Sequence, residues 1–422
     1  MPRPERAGAR VERRVALVTL AVGLVVLVVL GVLLVPWDAV PGGPVEPVPA
    51  HELFTDAQLA RAEAYSRWAR VWSWSSLGVS LAVACWLGLS ARGRRLVGRA
   101  TSRVPGPWWL QAVAAVVVLT VVGRLLTLPF AVGLQRLRLD RGLTGQAWTA
   151  FATDVVLREA VAVVVASIGV VVVIGCARRW CRAWPAVVGT LAAALVVVGS
   201  FVYPVAVEPL FNDFEPLPDG PLRAGILELA DREGVRVDDV LVADASRRTT
   251  TLNAYVSGFG GTRRVVVYDT LVETLDDDEA LSVVAHELAH ASHGDVVTGT
   301  VLGAAGAAAG VGLLALALGW LRRRGAPGPG EPAVVPVVLA LVAVATLLAA
   351  PAQNAVSRAI ETRADVDAVR ATGDPDAFVA MQRRLTLRSL ADPTPPALAA
   401  LWFGTHPGVL TRVAVAERVG GR

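Results

Sequence analysis

Lysine is absent from the 422 residues, so every one of the 40 basic side chains is arginine, a bias that fits the codon usage of a GC-rich genome. Charge is sparse at 18% of residues, which excludes a disordered or solvating chain. Only three cysteines are present, which excludes a disulfide scaffold. Cys85 and Cys176 lie inside apolar segments and Cys181 just beyond one, so they read as buried or interfacial filler rather than a redox site. The 39 glycines show no triplet period, which excludes a collagen-like repeat. What fills the space is hydrocarbon: 54% of residues are hydrophobic and the mean hydropathy is +0.54. The chain reads as a membrane protein. Its net charge of +4 does not point to nucleic acid, because the arginines cluster beside apolar spans, where they orient a membrane protein.

A spanning helix needs about 20 mostly apolar residues. Seven segments qualify: 15–35, 71–89, 108–134 with Arg124 inside it, 160–176, 184–207, 297–320 and 333–350. The first exceeds the apolar core of a signal peptide and lacks a small-residue cleavage site after it, so it stays as a span. Arginines gather before span one and after spans two, four and six, at Arg10, Arg13 and Arg14, at Arg92 to Arg103, at Arg178 to Arg182 and at Arg322 to Arg324. The positive-inside rule makes those regions cytoplasmic. The chain is then a multi-pass cell-membrane protein whose remaining loops and tail face outward, although Arg136, Arg138 and Arg141 after span three weaken the contrast.

Two long polar stretches, 208–296 and 352–422, can fold outside the bilayer, and together they have the size of one domain. The expected organisation is a five-span region at 1–207, a first extramembrane half at 208–296, spans six and seven within 297–351, and a second half at 352–422. Apolar spacing predicts a helix over 222–233, and 240–243 and 263–268 read as short strands with turn glycines between them at 257–261.

The chemistry begins at 276–292, DDDEALSVVAHELAHAS. Asp276 with Glu279 predicts a capping-box start for a helix carrying His286-Glu287-Leu288-Ala289-His290. Histidines four apart share one helical face, about 6 Å apart in rise, so both imidazoles can reach one Zn²⁺ while Glu287 addresses a metal-bound water. The bland alternative is a solvated helix face. Against it, only five histidines occur in the chain and three of them fall within 286–293. His293 lies about 10 Å along the axis from His286, too far for both to share a tetrahedral ion. A third ligand can come from SRAIETRAD at 357–365, where Glu361 and Asp365 are four apart on a presumed helix. Glu361 as ligand and Asp365 as the carboxylate that orients a ligating imidazole fit the usual division of labour. An ordinary charged face, with Arg358 and Arg363 as partners, fits the spacing equally.

Five motifs in order then carry a resemblance: PLFNDFEPL at 209–217, LNAYVSGFGGTRRVVVYDTL at 252–271, HELAH at 286–290, SRAIETRAD at 357–365 and THPGVLTRV at 405–413. From FTDAQLARAEAYSRW at 54–68 nearly to its end, the chain resembles the type-1 CaaX prenyl proteases, seven-span gluzincin metalloendopeptidases, as a bacterial member. The resemblance implies a mainly α polytopic membrane protein, with seven transmembrane helices around a chamber, capped by a zincin-like metalloprotease domain with a short β element. It implies one Zn²⁺ per chain on His286, His290 and Glu361, and Glu287 as general base. It implies a peptide or protein substrate extended along the strand carrying Asn253, Ala254 and Tyr255, with His406 and Arg412 donating to the oxyanion. Arg124, Asp154, Arg158 and Glu159 agree with a polar interior, since intramembrane charge turns to protein or water.

Two features depart from the family. Eukaryotic members carry the zinc domain in the cytosol, whereas the arginine distribution here places it outside. Gly408 follows the THP motif where the family commonly has proline or another residue. Farnesylated proteins are a eukaryotic speciality, so the expected native substrate is an unprenylated membrane or envelope protein. The competing readings are a heat-shock-type membrane quality-control metalloprotease, which typically has fewer spans, and a non-catalytic polytopic transporter or scaffold.

Overall fold

The computed structural model describes residues 3–203, 212–258 and 263–421. Among the described residues, seven helices are long and apolar enough to cross a membrane. They are α1 (Arg3–Leu34), α3 (Asp56–Leu89), α5 (Trp108–Asp140), α6 (Trp148–Arg179), α7 (Trp184–Val202), α11 (Asp295–Arg322) and α12 (Val335–Thr372). Positions 204–207 of the expected fifth span and 259–261 of the expected turn lie outside the described residues.

Most of these helices are longer than the apolar runs within them, and local chemistry explains why. The short α2 (Ala50–Leu53) precedes Thr55, whose hydroxyl accepts from Gln58 N while Gln58 Oε1 accepts from Thr55 N. That capping box starts α3 a full polar segment before its apolar stretch. The 38 residues of α12 span about 57 Å, against a hydrocarbon core about 30 Å thick, so the helix leaves the bilayer and carries on as a polar rod. Glu361 and Asp365 ride on that extension. Helices α1 and α11 cross closely: a Cβ on Gly23 would lie 2.6 Å from Ala309 N and one on Gly312 2.5 Å from Leu20 N, so only glycine fits at either point.

At one end, α4 (Ala91–Thr101) folds back from α3 under a Ser90 cap, the Ser90 hydroxyl accepting from Gly93 N at 2.9 Å. At the other end sits the extramembrane part. It contains α8 (Pro221–Arg232), α9 (Asp269–Thr274), α10 (Asp277–Ser292), α13 (Pro375–Ser389), α14 (Ala397–Phe403) and α15 (Val409–Val419). A single apolar core joins both polar stretches, with Ile226, Leu271 and Leu288 from the first packed against Ala368, Phe378 and Met381 from the second.

Beside them lies a four-stranded sheet of order β1-β2-β4-β3, made of β1 (Phe214–Pro216), β2 (Asp239–Ala243), β3 (Ala254–Ser257) and β4 (Arg264–Tyr268). The two expected strands are neighbours but run parallel, which a tight turn cannot connect. β3 supplies the return, antiparallel to β4, and stands at the sheet's edge against α10. The expected capping box on α10 does not form. Asp276 is the N-cap, but its carboxylate makes no cap hydrogen bond and accepts instead from Arg384 Nη2 at 2.8 Å.

Candidate metal centre

Helix α10 presents His286, Glu287 and His290 because its other face is committed to the core: Val283, Val284, Ala285, Leu288 and Ala289 are all buried. The extension of α12 crosses it and brings Glu361 alongside. His286 Nε2 lies 3.1 Å from Glu361 Oε2 and 3.2 Å from His290 Nε2, and His290 Nε2 is 3.7 Å from Glu361 Oε1. One ligand atom from each residue can be chosen so that all three lie within 4.8 Å of one another. Two nitrogens on a tetrahedral zinc are about 3.3 Å apart when each bond is about 2.0 to 2.1 Å. The donor set and its spacing therefore fit a zinc-sized cation.

Behind each imidazole stands the same arrangement. His286 Nδ1 is 3.0 Å from Asp365 Oδ1, and Asp365, 1% exposed, accepts from Arg412 Nε at 2.8 Å. His290 Nδ1 is 2.9 Å from Asp295 Oδ2, whose other oxygen accepts from Arg363 Nη2. The carboxylates fix each ring with Nε2 turned inward, and the arginine forks fix the carboxylates. Arg358, the other charged neighbour on α12, donates Nη1 to Gly404 O at 2.7 Å and leaves Glu361 unopposed on its helix face.

The electrostatics favour positive charge at the meeting point. For His286 burial is the largest influence and pulls its pKa down, yet hydrogen bonds to Asp365 and Glu361 outweigh it and raise the value. His290 feels the same opposition between burial and its partners Asp295 and Glu361, and is pushed up to about 10. Burial pushes the half-buried Glu287 carboxyl up, against the pull of His286 and His290. That leaves Glu287 a better proton acceptor than an ordinary glutamate.

His406 reaches the site through α14, which Arg358 and Asn354 tie to α12 by bonds to Gly404 O and Leu401 O. It is more than half exposed, its Nε2 is 3.4 Å from Glu361 Oε2, and burial lowers its pKa. Arg412, from α15, stands beside His286 with its side chain 12% exposed: Nε and Nη2 serve Asp365, and Nη2 lies 3.4 Å from His286 Nδ1. Asn253 is exposed just before β3, with its carbonyl accepting from Tyr268 N at 3.0 Å, while Ala254 is buried and Tyr255 half-buried. His293 stands apart, 2.9 Å from Asp367.

Sequence reasoning missed two groups. Asp295 follows Gly294, whose positive φ of 65° turns the chain so that the carboxylate comes back to His290. Arg248, between β2 and β3, donates Nε to Asp154 at 2.9 Å, and Asp154 also accepts from Gln146 Nε2 at 2.8 Å. Thr250 N donates to Leu143 O in the same seam, so the loop that leads into β3 is clamped to the membrane helices. Arg124 pairs with Glu159 across α5 and α6.

The chain is similar to known proteins along most of its length. Residues 45–213 match the CAAX prenyl protease N-terminal family, described as five membrane helices, and residues 216–419 match peptidase family M48. An uncharacterized metalloprotease of Bacillus subtilis, YhfN, is 31% identical over 324 residues, covering 74% of each chain. The CAAX prenyl protease 1 homolog of rice is 44% identical over 98 residues, 23% of each chain. In three dimensions the chain is similar to the crystal structure of S. mikatae Ste24p, with a TM-score of 0.74 at 19% identity, over 96% of this chain and 99% of that one.

Proposed function

Since the chain belongs to peptidase family M48 and is a multi-pass membrane metalloprotease, its peptide hydrolysis needs a centre, and we propose that His286, His290 and Glu361 provide it by holding one Zn²⁺ per chain. The observation that carries this reading is the convergence of two Nε2 atoms and one carboxylate at 3.1 to 3.7 Å, each imidazole backed by an aspartate. Zinc bound there supplies a Lewis acid for the scissile carbonyl and lowers the pKa of a water to about 7.

The chain's own residues do the rest. Glu287 takes the proton of the attacking water and delivers it to the leaving amine, a task that its raised pKa suits. His406, open to the cleft beside Glu361, donates to the developing oxyanion. Arg412 acts from behind, holding Asp365 and setting a positive charge beside His286. The substrate lies extended along β3, using Asn253 and the backbone of Ala254 and Tyr255, because β3 is the edge strand and faces the metal helix. The seven helices enclose a polar chamber on which this centre opens. Chain ends of CaaX type are one substrate class, by likeness to the CAAX prenyl protease 1 homologs, and an unprenylated membrane or envelope protein is the native one. The centre faces outward, because the arginine-rich loops lie at the opposite end.

Detergent-purified wild type and Glu287→Gln are compared on farnesylated CaaX peptide, the same peptide unmodified, and an unrelated extended peptide. Cutting that depends on Glu287 is expected, with the unmodified peptides cut at least as fast as the farnesylated one. Equal activity of the Glu287→Gln protein would overturn the mechanism, and strict dependence on the farnesyl group would overturn the substrate assignment. Alkaline phosphatase fused after Arg422 is expected to be active, whereas activity only from a cytoplasmic reporter at that site would reverse the orientation.

A further inference from the structure

The end of the molecule farthest from the metal centre carries arginine without acid to match it. On α4, Arg92, Arg95 and Arg99 recur at three- and four-residue spacing, and Arg103 continues the row just past the helix. They therefore share one face, while Gly93, Val97 and Thr101 form the buried face. Like charges at i and i+4 destabilise a helix unless something neutralises them. No carboxylate lies between Ser90 and Trp108 in the sequence, and none of these four arginines makes an ion pair among the described residues. Arg95 donates Nε to its own helix at Ala91 O, and Arg94 is anchored on the last turn of α3 through Gly88 O and Leu89 O.

Arg95 and Arg99 of this row, with Arg94 and Ser102 beside them, form one wall of a cleft of about 550 Å³ whose other wall includes Gly325 and Pro327. The loop that makes the second wall brings Arg322, Arg323 and Arg324 to the same end, and it is tied down by Arg178, whose Nη1 donates to Gly330 O. The acid on that loop, Glu331, is occupied in capping its own turn at Gly328 N. The helix packs on the ends of α3 and α5 farthest from the metal centre, with Leu96 exposed among its arginines, so the cleft opens beside the ends of apolar spans, at headgroup depth. A cationic, partly apolar cleft at that depth matches a phosphate that arrives with acyl chains attached.

We propose that the cleft between α4 and the 325–333 loop binds the phosphate of an acidic phospholipid headgroup, held by Arg95 and Arg99. The site is independent of the metal centre and of any substrate. The test is calorimetric titration of the full-length protein in neutral detergent with three probes: dioctanoyl phosphatidylglycerol, dioctanoyl phosphatidylcholine and inorganic phosphate. Phosphatidylglycerol is expected to bind at least tenfold more tightly than the other two, and Arg95→Gln/Arg99→Gln to weaken it by about thirtyfold. Arg13→Gln/Arg14→Gln, which removes the same charge from the same end outside the cleft, is expected to change it less than threefold. Ser102→Glu keeps every arginine, places a competing carboxylate in the cleft, and is expected to weaken binding as the double variant does. Equal binding of phosphatidylcholine, an unchanged affinity in the variants that alter the cleft, or an equal loss in Arg13→Gln/Arg14→Gln would overturn the site. Inorganic phosphate binding as tightly as the lipid would overturn the lipid as its occupant.

Discussion

The two ends of this molecule use arginine in opposite ways. At the metal end four arginines are matched to acids: Arg412 with Asp365, Arg363 with Asp295, Arg384 with Asp276 and Glu279, and Arg248 with Asp154. At the other end Arg95, Arg99, Arg103 and Arg322 to Arg324 make no ion pair among the described residues. A buried fork that grips a carboxylate fixes geometry, which a metal centre needs, whereas an unpaired surface guanidinium creates a field, which is enough to set orientation and to attract anionic lipid. The chain has no lysine for the second task, so one residue type serves both, and only its partners distinguish the roles.

The sharpest way to test that contrast is at the centre itself. Glu287→Gln is expected to lower kcat by about 10²-fold to 10⁴-fold or more with the metal retained, which steady-state kinetics beside a metal assay will show. Next in size is a broken pair. Asp154→Ala leaves Arg248 without its partner in a mostly buried seam and is expected to cost about 2 to 3 kcal/mol, read as a lower melting temperature in detergent. Adding Arg248→Gln should recover part of the loss, because the stranded charge goes with it.

Smaller again are the aspartates behind the rings. Asp365→Asn and Asp295→Asn should each weaken metal binding by about 10-fold to 100-fold, measured by competition with a chromogenic chelator. Removing an unpaired arginine closes the series: Arg95→Gln is expected to shift stability by less than about 0.5 kcal/mol. A large loss there would erase the distinction between the two ends.

Much of the site was legible in the sequence because its information is local. The i and i+4 spacing of His286 with His290, and of Glu361 with Asp365, holds on any straight helix, and both pairs lie on one. The spans were legible for the same reason, although their ends were not: nothing in an apolar run announces that α12 continues as a polar rod to Thr372. Asp295 was hidden by a backbone turn. On an unbroken helix a residue five after His290 points about 140° away from it, and only the left-handed Gly294 brings it back. Arg248 and Asp154 are 94 residues apart, and no pattern within either segment selects the other. The parallel pairing of β2 and β4 was likewise hidden, since two short apolar runs read the same whichever way they pair.

In the proposed centre three side chains hold one metal while a fourth performs the proton transfer without binding it. The most direct measurement is metal content by mass spectrometry of wild type, Glu361→Gln and Glu287→Gln, each purified in the same detergent without added chelator. One zinc per chain is expected in wild type and in Glu287→Gln, and a small fraction of that in Glu361→Gln. A full complement in Glu361→Gln, or none in wild type, would contradict the proposed centre.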